Sequence, residues 1–157
     1  MRTGFTILEI IFVLIIIGIF TGLGATSYNY SSQKQLLESD AEFVNELFAK
    51  ARSNTTARLI EDLSCTNFQG YTVSVVPSSQ TFSLIQTCDT TTEVESYTLV
   101  ESIVTNPISN DLVLFTYPLG NINSARTITL KKENISRCLD LDIDTLGNIT
   151  QGELYSC

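Results

Sequence analysis

From Phe5 to Ala25 the chain is overwhelmingly apolar, and Glu9 is its only charged side chain there. The run is dense in Ile, Leu, Val and Phe and is close to the roughly 20 residues an α-helix needs to cross a bilayer core. The rest of the 157-residue chain is polar, rich in Ser, Thr and Asn, with short alternating apolar stretches. The positive mean hydropathy therefore reflects the first segment and not an integral membrane body. The length leaves room for one domain plus one extended element.

Glu9 is the difficulty in that segment. Ionised and unpaired in lipid, an acid costs a few kcal/mol, and such residues are suspected of having a partner. Only Met1, Arg2 and Thr3 precede Gly4-Phe5. Arg2 marks the cytoplasmic side by the positive-inside tendency, which places the C-terminal part across the membrane. A cut between Gly4 and Phe5 would create a cationic amine about one turn from Glu9. In a staggered bundle the amine of one subunit would meet Glu9 of the next, neutralising both charges.

No turn signal separates this segment from the residues after it. Gly22 and Gly24 loosen it, but Tyr28 to Leu63 contains neither proline nor glycine. Leu37, Ala41, Val44, Phe48, Ala51 and Thr55 recur at helical spacing, with Leu36, Phe43 and Leu47 alongside. Glu38, Asp40, Glu42, Glu46 and Lys50 are expected on the opposite face. One helix is thus expected from about residue 5 to the mid-fifties, apolar all round at first and amphipathic later.

From Phe68 the period changes to two. Tyr71–Val76, Phe82–Ile85, Val94–Val104, Leu112–Phe115, Thr127–Leu130, Leu139–Ile143 and Asn148–Leu154 read as strands. Pro77-Ser78-Ser79-Gln80, Pro107, Pro118-Leu119-Gly120 and Leu146-Gly147-Asn148 punctuate them. The fold class is α+β: two antiparallel sheets packed as a sandwich-like head over the amphipathic half of one long helix.

The chain holds four cysteines and no histidine. Zinc would need an all-cysteine cluster, and there is no C-x-x-C pair to begin one. Two disulfides in an exported domain suit the count better. Three connectivities exist, of which Cys65–Cys88 with Cys138–Cys157 is favoured because each pair brackets what reads as one hairpin. Seventeen acidic against nine basic residues, a net charge of −8, make nucleic acid a poor partner.

Gly4-Phe5-Thr6-Ile7-Leu8-Glu9-Ile10, followed by the apolar run with Gly18, resembles the class III signal of type IV pilins and type II secretion pseudopilins. The resemblance implies cleavage after Gly4 by a prepilin peptidase, N-methylation of Phe5, and a role for Glu9 in subunit registration. It implies packing on other subunits through Phe5–Gly24, contact with the lipid bilayer and an inner-membrane assembly platform, and a head in the periplasm or outside. The family often has proline where this chain has Thr26. The organisation it implies is a leader at 1–4, a membrane and filament-core helix at 5–25, an amphipathic extension at 26–63, and a β-rich disulfide-bonded head at 64–157.

A weaker match covers the head. Leu112-Val113-Leu114-Phe115, Pro118-Leu119-Gly120, Thr127-Ile128-Thr129-Leu130, Cys138-Leu139-Asp140-Leu141-Asp142-Ile143 and Gly147-Asn148-Ile149 resemble the H-type minor pseudopilins and T-type minor pilins. That resemblance implies a low-abundance subunit of filament initiation or the tip. Some T-type relatives bind DNA through basic residues after the glycine matching Gly147. Here Asn148, Ile149, Thr150 and Gln151 carry no positive charge, and Arg126, Lys131, Lys132 and Arg137 are expected on a solvated strand face.

Competing readings account for less. An ordinary signal anchor explains neither Gly4-Phe5 nor Glu9. A secretory signal cut near Gly22-Leu23-Gly24-Ala25 would have Glu9 interrupting its apolar region. Asp140, Asp142 and Asp144 invite calcium, but alternation puts them on the outer face of a strand. Without histidine the usual proton shuttle is missing. No enzyme, no cofactor and no metal are expected.

Overall fold

The computed structural model describes residues 7–76, 78–100, 102–105 and 112–157, with the backbone alone for 20–27. The leader residues Met1–Gly4 and the proposed new terminus Phe5 lie outside the described residues, as do Pro77 and Pro107.

One helix, α1, runs unbroken over Ile7–Thr56. Its second half is amphipathic as the spacing predicts: Leu37, Ala41, Val44, Phe48, Ala51 and Thr55 are sealed from solvent. Each large apolar side chain buried this way stabilises the fold by about 1.5–3 kcal/mol. The helix stops at Thr56, short of the boundary drawn at 63. Thr55 is the cause. Its hydroxyl donates back to the Ala51 carbonyl at 2.8 Å and accepts the Tyr71 backbone N–H at 3.0 Å, tying the last turn to the first strand. Arg58 then takes a left-handed conformation (φ 50°), and Leu59 N–H closes on the Asn54 carbonyl.

Among the described residues the head has β1 (Gly70–Val76), β2 (Thr81–Thr87), β3 (Thr91–Thr98), β4 (Ile103–Val104), β5 (Leu112–Thr116), β6 (Arg126–Lys132), β7 (Arg137–Ile143), β8 (Ile149–Gln151) and β9 (Tyr155–Ser156). The first sheet has the order β3-β2-β1-β5; the second has β4-β6-β7-β8, with β9 also against β7. All pairings are antiparallel, with Val73 opposite Leu84 in one sheet and Leu130 opposite Leu139 in the other. Tyr71, Val73, Phe82 and Leu84 meet Leu130, Leu139 and Leu141 over α1 in one continuous core. Phe48 on the helix meets Phe115 edge to face, 6.2 Å between centroids. The expected α+β architecture is present.

Two expected strands differ from their sequence bounds. Val94–Val104 is two strands in different sheets: β3 ends at Thr98, and the chain crosses before β4 pairs with β6. Asn148–Leu154 shortens to β8, ending before Gly152, whose N–H bonds the Asp140 carbonyl; β9 follows it, beyond Leu154, and docks separately on β7.

The crossover explains two misread charges. Asp40, expected on the exposed helix face, is 1% exposed, because it lies between Leu37 and Ala41 at the rim of the buried stripe. Its Oδ1 accepts the Tyr97 hydroxyl at 2.8 Å and the Val100 N–H at 3.2 Å. Lys132, expected on a solvated face, continues the inward series Ile128, Leu130 and is fully buried. Its Nζ donates to the Val100 carbonyl at 3.4 Å. Helix and second sheet thus hold Val100 from opposite sides, where the chain changes sheets.

Candidate functional site

Among the described residues the N-terminal part of α1 is exposed from Ile7 to Ile19. Ile7, Leu8, Ile10, Ile11, Phe12, Val13 and Leu14 are 49–80% exposed. Gly18 has open space where a Cβ would stand. Glu9 is exposed on this part of the helix, within its first described turn. Among the described residues no helix is long and apolar enough to cross a membrane; the described side chains of the apolar run stop at Ile19. What the geometry does establish is an apolar rod projecting from a finished core. Contiguous exposed apolar surface of this kind is rarely left in water by monomeric proteins.

Both local disulfides are present, Cys65–Cys88 and Cys138–Cys157, each with Cα atoms 5.6 Å apart. The first closes the β1–β2 hairpin at its open end. The second fastens the C-terminus to β7, where Cys138 already pairs with Tyr155. Beside the first, Gln86 is 1% exposed and its Oε1 accepts the N–H groups of Glu61 and Asp62. That single amide shapes the loop after α1, and no sequence signal marks it.

The aspartate series does not converge. Asp140 accepts the hydroxyls of Thr129 and Tyr155, and Asp142 that of Thr127. Asp144 accepts the Asn148 backbone N–H and side-chain amide. Among the described residues no cluster of three such side chains could hold a metal ion. The basic group is likewise dispersed: Lys132 points into the core, while Arg126, Lys131 and Arg137 are half-buried.

A groove of about 520 Å³ lies between α1 and the β7–β8 turn, lined in part by Asn45, Arg52, Ser53, Asn148 and Ile149. Arg52 is the one charged residue in its lining. Its Nη1 donates to Asn148 Oδ1 at 2.8 Å. Asn148 is oriented in turn by Asp144, which takes its N–H and its Nδ2, both at 2.8 Å. These bonds draw the Asp144 carboxyl below its usual range, the Asn148 side chain first and the Arg52 charge last. The stem of Arg52 runs beside two glycines with positive φ, Gly120 at 68° and Gly147 at 75°. A Cβ on Gly147 would stand 2.4 Å from the Gly120 carbonyl oxygen and 3.3 Å from Arg52 Cδ. One on Gly120 would stand 3.0 Å from Arg52 Cγ. Sequence reading finds both glycines as turn signals but not the arginine they accommodate, since the helical period alone gives Arg52 no special place.

A long helix whose second half carries two antiparallel sheets is the architecture of type IV pilins. The structure is similar to the crystal structure of the type IV minor pilin FimU of Pseudomonas aeruginosa strain PAO1. The TM-score is 0.56 and the identity 14%, over 74% of this chain and 92% of that one. At that identity the likeness is one of fold. No protein-family model matches the chain, and no curated protein does either.

Proposed function

We propose that this protein is a minor pilin or pseudopilin: a structural and assembly subunit at the initiating end or tip of a type IV pilus or a type II secretion pseudopilus. The observation that carries the reading is the exposed apolar first part of α1, continuous with a helix half that is buried in a pilin-like head. A helix apolar all round needs lipid or other helices. In this reading the membrane supplies the first before assembly and neighbouring subunits the second afterwards, through Phe5–Gly24. Cleavage after Gly4 and methylation of Phe5 would leave a cationic terminus beside Glu9. The amine of one subunit and Glu9 of the next would then pair as the helices come into register. Prepilin peptidase and the assembly platform of the inner membrane are the partners this requires. The chain acts as a building block and not as a catalyst.

The DNA-capturing alternative is less well supported. The burial of Lys132 removes one of the four cations it would use, and phosphate binding depends on several exposed cations acting together.

The test is the mass of the mature N-terminus isolated from filaments or inner membranes. A methylated Phe5 is expected. An intact Met1, or a terminus near Ala25, would overturn the reading.

A further inference from the structure

The Arg52 groove is built around a cation that makes no direct ion pair among the described residues, although the Asp144 carboxylate lies near enough to feel its charge. The ion pairs among them are Lys34–Glu38 and Lys50–Glu95, and neither involves Arg52. A guanidinium has five N–H donors. The described hydrogen bonds use one, and its acceptor is the neutral amide oxygen of Asn148. Asp144 accepts from Asn148 through both oxygens and makes no hydrogen bond to Arg52 among the described residues. The side chain is nevertheless fixed at both ends, by the Asp144–Asn148 relay at its head and by Gly120 and Gly147 along its stem. A cation held in place before its partner arrives loses little freedom on binding, which favours planar, two-pronged recognition of an anion.

We propose that this groove is the acceptor site for a carboxylate side chain on the head of an adjoining filament subunit, with Arg52 as its anchor and Asn45 and Ser53 beside it. The inference rests on the pilin reading for its partner but on the groove for its chemistry. A single charge among neutral polar residues matches one carboxylate, whereas a nucleic-acid backbone needs a row of cations. Subunits as acidic as this one, with 17 acids to nine bases, present carboxylates in plenty. The groove flanks the half of α1 that belongs to the head, so the contact would add a head-to-head link to the packing of the apolar helices.

The test places a photo-crosslinking amino acid at Asn45, and separately at Ser53, in the full-length chain within cells that make the native filament. Crosslinked peptides are identified by mass spectrometry. An Asp- or Glu-bearing head segment of another pilin-like subunit is expected. Arg52→Met keeps the stem and removes the charge, and should lower the crosslink yield roughly tenfold, as loss of a charge-assisted contact does; Arg52→Lys should lower it less. Intact disulfides and an unchanged melting temperature in Arg52→Met separate lost contact from lost fold. Crosslinks only to lipid or nucleic acid, to a segment without acids, or unchanged in yield in Arg52→Met would overturn the inference. A methylated Phe5 in the same sample would then leave the pilin reading standing.

Discussion

The two ends of α1 both present large apolar side chains, and these meet opposite fates. Around Phe48 the helix presents Leu37, Ala41, Val44 and Ala51 to two sheets and none of these touches water. Around Phe12 the neighbouring side chains are about half exposed or more, on every side. Each end also carries an acid. Asp40 is buried, with one carboxylate oxygen bonded by Tyr97 and Val100 of its own chain, whereas Glu9 sits on the exposed apolar part. One end of the helix completes a domain; in the proposed function the other end completes an assembly. Substitutions in the two ends should therefore separate folding from incorporation.

The largest expected effect is at Phe48. Phe48→Ala leaves a hole against Phe115 and should cost the head about 3–5 kcal/mol. Ile15→Ala, in the exposed end, should shift the same melting transition by less than about 0.5 kcal/mol. Thermal unfolding of the full chain in detergent, followed by near-ultraviolet circular dichroism, compares the two. Equal losses would break the division.

Next come the crosslinks. Replacing Cys65 and Cys88 together by serine frees a loop with a sequence separation of 23 and should destabilise the head by about 3 kcal/mol. The helicity of α1 before Tyr28 should not change, which hydrogen exchange would show.

Asp40→Ala should cost about 2 kcal/mol, because the Val100 N–H and the Tyr97 hydroxyl lose their acceptor. Asp40→Asn, which keeps an acceptor oxygen, should cost less. An exposed Asp40, as the sequence pattern implies, would give no measurable change in either variant.

A smaller effect arises from the same contact. Burial first, then the Asp40 carboxylate to which it donates, push the Tyr97 phenol up to about 12. A raised pKa means the folded state keeps the proton longer. The stability it contributes is whole below the ordinary tyrosine value of about 10 and is lost as pH rises from there through 12. Absorbance titration should find Tyr97 ionising late, and Asp40→Ala should bring it earlier. On the acid side, Asp62 is held low by its Ser64 hydrogen bonds and Asp144 by Asn148. Their small contributions are present above the ordinary carboxylate range and fade as pH falls through it and below.

Periodicity makes much of this legible. The helical spacing of Leu37, Val44, Phe48 and Ala51 specifies the buried face, and alternation locates the strands around Val73, Leu84, Leu130 and Leu141. Hairpin bracketing points to the cysteine pairs that the structure contains. Periodicity fails for charges whose burial depends on tertiary partners. Asp40 and Lys132 look like surface residues until a crossing chain brings Val100 between them. Likewise no pattern in Val94–Val104 tells that half of it leaves one sheet for the other. Arg52 carries no signal in the sequence because its groove exists only once Gly120, Gly147 and the helix end have come together.

The most direct measurement concerns Glu9, whose proposed partner is the amine of an adjoining copy. Full-length Glu9→Ala would be expressed in place of the native subunit, and its amount in sheared filaments or pseudopili compared with that in the membrane. The account expects a head that folds and melts as before, full membrane accumulation, and loss of incorporation. Native levels of incorporation would contradict it.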